Sequence, residues 1–144
     1  MAYPEGLVDL IDSLHQQGVN EAVICPGSRN APIMLALVRH GGFRCYSIAD
    51  ERSAGFFGLG RALKTNKPVI ICCTSGSAGL NFAPAVVEAF FQEVPLIVLT
   101  ADRPAEWIGQ WDGQTIYQEN LFGKHVKHAE SFKPFQPNQL VEKA

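Results

Sequence analysis

The sequence predicts an α/β domain: an open parallel sheet with helices on both faces. Three observations carry this. Short apolar runs alternate along the chain with segments of helical period. Two of those runs, 68–73 and 95–100, are almost continuously apolar, as strands buried on both faces are. Each run ends in a short polar turn that leads towards the next helical segment or loop.

The elements follow in order. Residues 4–17 place Leu7, Leu10, Ile11 and Leu14 at helical spacing, and Gly18 is a natural stop. The run 21–25 is a short strand closed by Pro26-Gly27. A second helix is expected over 31–40, ended by Gly41-Gly42. The second strand is 43–49 and the next helix 53–64. That helix carries Gly55, Gly58 and Gly60, which suit close packing although each glycine weakens a helix. A third strand over 68–73 precedes a polar turn and a helix over 78–91, with Pro84 in its first turns. The fourth strand is 95–100. Beyond Asp102 a long polar loop, 103–118, carries Trp107 and Trp111; loops of that length in compact domains are usually functional or disordered. A last strand is expected over 126–132. Residues 1–132 then read as one domain, and 133–144 as the start of a linker to a further domain, so that the chain reads as a fragment.

Composition narrows the function classes. The 144 residues fit one domain. Charged residues make up 18%, below the roughly 25% of an average domain, and 47% are hydrophobic. That balance suits either a well-buried sheet or a surface covered by a partner. A net charge of −2 gives no basic footprint for nucleic acid. No window is long and apolar enough for a membrane span, and Met1 to Glu5 do not read as a signal peptide. Cys25, Cys45, Cys72 and Cys73 lie in or at the ends of apolar strands without Cys-x-x-Cys spacing, so buried reduced thiols of a cytoplasmic protein are expected. His125 and His128 are three apart without a nearby third ligand, and no metal site is expected.

The strand-to-helix junctions carry the chemistry. Ligands of open parallel sheets bind beyond the carboxyl ends of the strands. Those ends carry Pro26-Gly27-Ser28-Arg29-Asn30, Asp50-Glu51-Arg52-Ser53, Thr74-Ser75-Gly76-Ser77 and Thr100-Ala101-Asp102-Arg103-Pro104. Ser28 could cap the following helix. Arg29 opposes a helix dipole there, which fits either capture of a carboxylate or phosphate, or an ion pair with Asp50 or Glu51. Arg103 has the same two readings, with Asp102 as the structural partner. The turn 75–79 could cradle an anion or serve as a plain cap; it matches no P-loop, Gly-x-Gly-x-x-Gly or Gly-x-Ser-x-Gly pattern. An acidic pair at 50–51 is poor packing material and asks for a partner.

Four runs in register resemble one family. They are Cys25-Pro26-Gly27-Ser28-Arg29-Asn30-Ala31-Pro32, Asp50-Glu51-Arg52-Ser53-Ala54-Gly55-Phe56, Thr74-Ser75-Gly76-Ser77-Ala78, and Pro95-Leu96-Ile97-Val98-Leu99-Thr100-Ala101-Asp102-Arg103-Pro104 with Gln114-Thr115-Ile116. Together they resemble the N-terminal part of the 2-succinyl-5-enolpyruvyl-6-hydroxy-3-cyclohexene-1-carboxylate synthases, thiamine-diphosphate enzymes of menaquinone biosynthesis. The resemblance covers nearly the whole chain and implies a pyrimidine-binding domain. Glu51 would hydrogen-bond N1′ of the cofactor's aminopyrimidine, favouring the tautomer whose N4′ can take the thiazolium C2 proton, and its pKa should be raised. Thr74, Ser75, Gly76 and Ser77 would lie near the pyrimidine. Ser28, Arg29, Arg103 and Gln114 would contact the substrates, 2-oxoglutarate and isochorismate. Asn30 departs mildly from the serine more usual there.

The resemblance also implies what the chain lacks. No Gly-Asp-Gly…Asn motif for magnesium and diphosphate is present. Mg2+ and most of the thiamine diphosphate would be held by a second domain, across a homodimer or higher oligomer. The isolated chain is expected to be inactive and to bind the cofactor weakly or not at all. Two rival readings stand beside this one. The chain could be the pyrimidine-domain subunit of a two-chain thiamine-diphosphate decarboxylase, such as one acting on sulfopyruvate. It could also be a non-catalytic module that binds an acidic metabolite through Arg29 and Arg103.

Overall fold

The computed structural model describes residues 5–132. The linker expected over 133–144 lies outside them. Helix α1 spans Glu5–Gln16, strand β1 Glu21–Ile24, α2 Ala31–His40, β2 Arg44–Ser47, α3 Glu51–Thr65 and β3 Val69–Cys73. Two short helices follow, α4 over Ser77–Asn81 and α5 over Ala83–Phe91, then β4 over Leu96–Thr100 and a 3-10 turn over Ala105–Trp107. The four strands form one parallel sheet in the order β2-β1-β3-β4.

Alternation along the strands divides the core between two helix layers. Ala22, Ile24, Ile70 and Cys72 point to the face covered by Leu7 and Ile11 of α1 and Leu37 of α2. Val23, Val69, Ile71 and Cys73, with Cys25 just past β1, point to the face covered by Ala54 and Ala62 of α3, Ala78 of α4, and Phe82 and Val86. Both faces of β1 and β3 are therefore dry, which explains why their sequences read as unbroken apolar runs. Glu21, at the start of β1, is clipped to Arg61 of α3 by a two-pronged ion pair at 2.8 and 2.5 Å. The Arg61 guanidinium holds the Glu21 carboxyl below the usual carboxylate range.

The glycines of α3 divide by what surrounds them. A Cβ on Gly58 would sit 2.5 Å from Ile71 Cγ2, and one on Gly55 would sit 2.9 Å from Ala85 Cβ. Gly60 faces open space. Gly58→Ala should therefore destabilise the chain by about 1–3 kcal/mol through overpacking. Gly60→Ala should stabilise it by about 0.5–1 kcal/mol, because only the helical cost of glycine is removed. Urea titration of the two variants checks both signs.

Four expectations are corrected. The helix expected over 78–91 is two helices, because Pro84 cannot donate to the preceding turn; it sits instead at the start of α5, where no donor is missed. No strand forms over 126–132, where the chain is bends and irregular backbone. The apolar residues there, Val126, Ala129 and Phe132, recur every third position rather than every second, so no face of a strand could bury them. Ser28 does not cap α2: Asn30 occupies the cap position, and Ser28 offers only its backbone carbonyl to Ala31 N–H. The helix expected from residue 53 begins at Glu51, with Asp50 as its cap accepting from Ser53 N–H at 2.7 Å.

Candidate active site at the carboxyl edge of the sheet

The chain order creates a crevice. β1 passes through α2 to its neighbour β2, whereas β3 leads to α4 on the opposite face, so the connections after β1 and β3 diverge from adjacent strand ends. Gly27 and Thr74 meet at this point. A Cβ on Gly27 would lie 2.5 Å from Thr74 Cβ and 2.9 Å from Asn30 Oδ1, so only glycine admits the approach. Asn30 is fully buried. Its side-chain amide donates to Cys25 O at 2.8 Å, and its Oδ1 has no partner.

Arg29 reaches across the crevice. Its Nη1 donates to Ser75 Oγ at 2.9 Å and to Gln114 Oε1 at 3.0 Å, and its Nη2 to Gly113 O at 3.4 Å. It forms no ion pair with Asp50 or Glu51. Arg103 reaches the same carbonyl, Nη2 to Gly113 O at 3.0 Å, and pairs with Asp112 Oδ2 at 2.6 Å. Asp102, its sequence neighbour, accepts from the Arg103 backbone N–H instead. A residue's own backbone is closer to its neighbour than its extended side chain is, so adjacency in sequence was a poor guide. Two arginines from β1 and β4 junctions thus converge on one backbone carbonyl, and planar guanidinium groups in that arrangement suit carboxylates.

The turn after β3 is locked to the 103–118 loop. Ser75 Oγ donates to Gln114 O at 2.9 Å. Gly76 has φ +80°, and a Cβ on it would lie 2.9 Å from the Gln114 backbone. Gln118 accepts from Gly76 N–H at 2.7 Å, and its amide donates to Ala101 O at 2.9 Å and Thr100 Oγ1 at 3.3 Å. Gln118, Asp112 and Gly113 are site residues that sequence reasoning missed. Gln118 carried no motif, and the partners it joins lie on two separate strand ends. Ser77 opens α4 on the exposed side, and the Ser28 hydroxyl makes no hydrogen bond with the cluster among the described residues.

Glu51 is the first residue of α3, half-buried at the same edge, and makes no ion pair among the described residues. Its electrostatic neighbours are thiols. Burial pushes Cys25 up to about 12, and the Glu51 carboxylate adds to that shift. Cys73 is raised as well, by burial first, then by the neighbouring Cys72 and Cys25 and last by Glu51. Cys72, on the other face, is pushed up to about 11 by burial. All four cysteines are unpaired thiols. The folded state therefore keeps protons that the unfolded chain releases from about pH 9, its ordinary thiol value. Stability should be intact below pH 9 and fall as pH rises towards 11, by about 1.4 kcal/mol per pH unit for each of these thiols. Urea midpoints at pH 8, 9, 10 and 11 check this, and Cys72→Ala should flatten the slope. Among the described residues no group of three or more His, Cys, Asp or Glu converges as a metal site. No helix among them is long and apolar enough to cross a membrane.

Comparison with known proteins places the chain in a family. The family model for the thiamine pyrophosphate enzyme, N-terminal TPP binding domain, matches residues 5–127. A protein of Phocaeicola vulgatus named 2-succinyl-5-enolpyruvyl-6-hydroxy-3-cyclohexene-1-carboxylate synthase is 55% identical over 123 residues, which cover 85% of this chain and 22% of that protein. Proteins of the same name from Bacteroides thetaiotaomicron and Cytophaga hutchinsonii are 47% and 53% identical, over 97% and 85% of the chain. The chain spans about a quarter of the length of these relatives, between 22% and 26%. With the parallel sheet, the glycine-lined crevice and a match over most of its length, this chain belongs to the thiamine pyrophosphate enzyme family, as an N-terminal TPP-binding domain.

Proposed function

We propose that the chain is the pyrimidine-binding domain of a synthase of menaquinone biosynthesis, one that decarboxylates 2-oxoglutarate and adds the resulting succinyl unit to isochorismate. The observation that carries this reading is the convergence of Arg29 and Arg103 on Gly113 O, at the edge that also bears Glu51. Both proposed substrates are polycarboxylates. The relatives' shared name points the same way.

The residues fit the cofactor. An aminopyrimidine nitrogen needs a carboxyl group that is partly out of water and not neutralised by a cation, and Glu51 meets both conditions. Thiamine diphosphate, when bound, supplies the carbon nucleophile and electron sink that loss of carbon dioxide from a 2-oxo acid requires. Glu51 would hold and exchange a proton at N1′ of the pyrimidine. Thr74, Ser75, Gly76 and Ser77 would line the pyrimidine end, with Gly76 keeping the backbone low. Ser28, Arg29, Arg103 and Gln114 would bind and orient the substrate carboxylates, Gln114 steering Arg29 through their shared hydrogen bond. Mg2+ and the diphosphate would be held by a second domain, in a homodimer or larger homo-oligomer. Work in the cytoplasm belongs to the same reading, supported by four unpaired thiols.

A stand-alone acidic-metabolite module would gain nothing from a carboxylate in its pocket, so Glu51 disfavours it. The relatives carry the matching segment within chains about four times longer, which favours the synthase over a two-chain decarboxylase. The test is formation of the carboligation product from 2-oxoglutarate and isochorismate by an enzyme in which this segment is joined to its companion domain. Product from that enzyme and none from the isolated chain is expected. Turnover of sulfopyruvate instead, with isochorismate ignored, would overturn the reading.

A further inference from the structure

Asp112 sits where a bound carboxylate would be useful. Its Oδ2 lies 2.6 Å from Arg103 Nη2, and the next carbonyl, Gly113 O, accepts from Arg103 at 3.0 Å and Arg29 at 3.4 Å. One short segment of the loop therefore presents a carboxylate to Arg103 and a carbonyl to both guanidinium groups. The backbone around it is strained. Trp111 and Gln114, neither of them glycine, have φ of +61° and +56°. The Trp111 side chain is fully exposed, so packing of the indole does not hold that conformation. What holds it are the contacts of Asp112, Gly113 and Gln114 with Arg29, Arg103 and Ser75. Arg103 Nε is buried and has no acceptor, so the loop satisfies this guanidinium incompletely. A planar carboxylate with two free oxygens could engage the two donors of one guanidinium edge; a single Oδ2 at one Nη does not.

We infer that Asp112 is an internal substitute for the substrate carboxylate: it occupies Arg103 in the free protein and is displaced when isochorismate binds. This rests on the substrate reading of Arg29 and Arg103 given above. Asp112 thus lowers the apparent affinity of the site, because each binding event must break the Arg103–Asp112 pair. Gly109, at φ +84°, and Gly113, with open space where a Cβ would be, give the segment freedom to withdraw. The neighbouring acids do not duplicate the role: Asp102 accepts from backbone, and Glu51 pairs with no cation among the described residues.

The test uses the full-length enzyme that contains this segment. In Asp112→Asn the KM for isochorismate should fall by about two- to fivefold, the range expected for relieving competition from one partly exposed ion pair. Asp112→Ser should lower it in the same direction. If Asp112 instead organises Arg103 for the substrate, KM rises in both variants, and a rise or no change overturns the inference. Arg103→Gln separates the two layers. A raised KM in Arg103→Gln supports the substrate site itself, whereas an unchanged KM sinks that reading together with the inference. Hydrogen exchange on the unaltered enzyme needs no variant. Amides over 109–115 should exchange faster when isochorismate is added without 2-oxoglutarate, and slower or unchanged exchange contradicts displacement.

Discussion

Glu51→Gln, made in the enzyme that joins this segment to its companion domain, should lower kcat by about 10²–10⁴-fold, the usual worth of a positioned acid–base group. Glutamine keeps the size and can still hydrogen-bond a ring nitrogen, but it cannot exchange a proton there. The unfolding free energy should change by no more than about 0.5 kcal/mol, because Glu51 forms no ion pair that the substitution would break. Helix α3 keeps its cap in Asp50, whose carboxyl is held below its ordinary range by Ser53. Rate and stability therefore separate cleanly at this position. Steady-state carboligation and urea unfolding of the same preparation measure both. A stability loss that accounts for the rate loss would make Glu51 structural.

Phe82→Ala should cost about 3–5 kcal/mol, as large-to-small changes of a buried aromatic do. Phe82 is fully buried where α4 passes into α5. Its ring lies against the bare backbone of Gly55 and within the core face that includes Ala54, Ala78 and Val86. Gly55 has no side chain with which to refill the space. A loss of that size is a large share of the roughly 5–15 kcal/mol that holds a domain together. The effect should also reach the site, since α4 carries Ser77 and anchors the turn that presents Ser75 and Gly76. Urea titration monitored by circular dichroism checks the magnitude.

The architecture was readable because burial wrote itself into composition. β3 is buried on both faces, so its apolar run needed no alternation to be recognised, and the polar junctions stood out by contrast. β4 reads the same way in sequence but is an edge strand, half-buried along its whole length. Position at the sheet edge followed for Arg29, Glu51, Ser75 and Arg103 from topology alone. Partners were not readable in the same way. Arg29 had acids available at 50 and 51 by sequence logic, yet it turned across the crevice to Ser75 and Gln114. Arg103 passed over Asp102 for Asp112, nine residues further on. Both choices depend on the path of the 103–118 loop, and that path is set by tertiary hydrogen bonds such as those of Gln118, which leave no periodic trace. The strand expected over 126–132 failed for a related reason: three apolar residues suggested an element, but their spacing did not suit one.

The most direct measurement is a crystal structure of the full-length enzyme with thiamine diphosphate and Mg2+. The Glu51 carboxylate should be hydrogen-bonded to N1′ of the pyrimidine, with the metal and diphosphate held by another domain. A pyrimidine ring bound out of hydrogen-bond reach of Glu51, or a metal coordinated by residues of this segment, would contradict that arrangement.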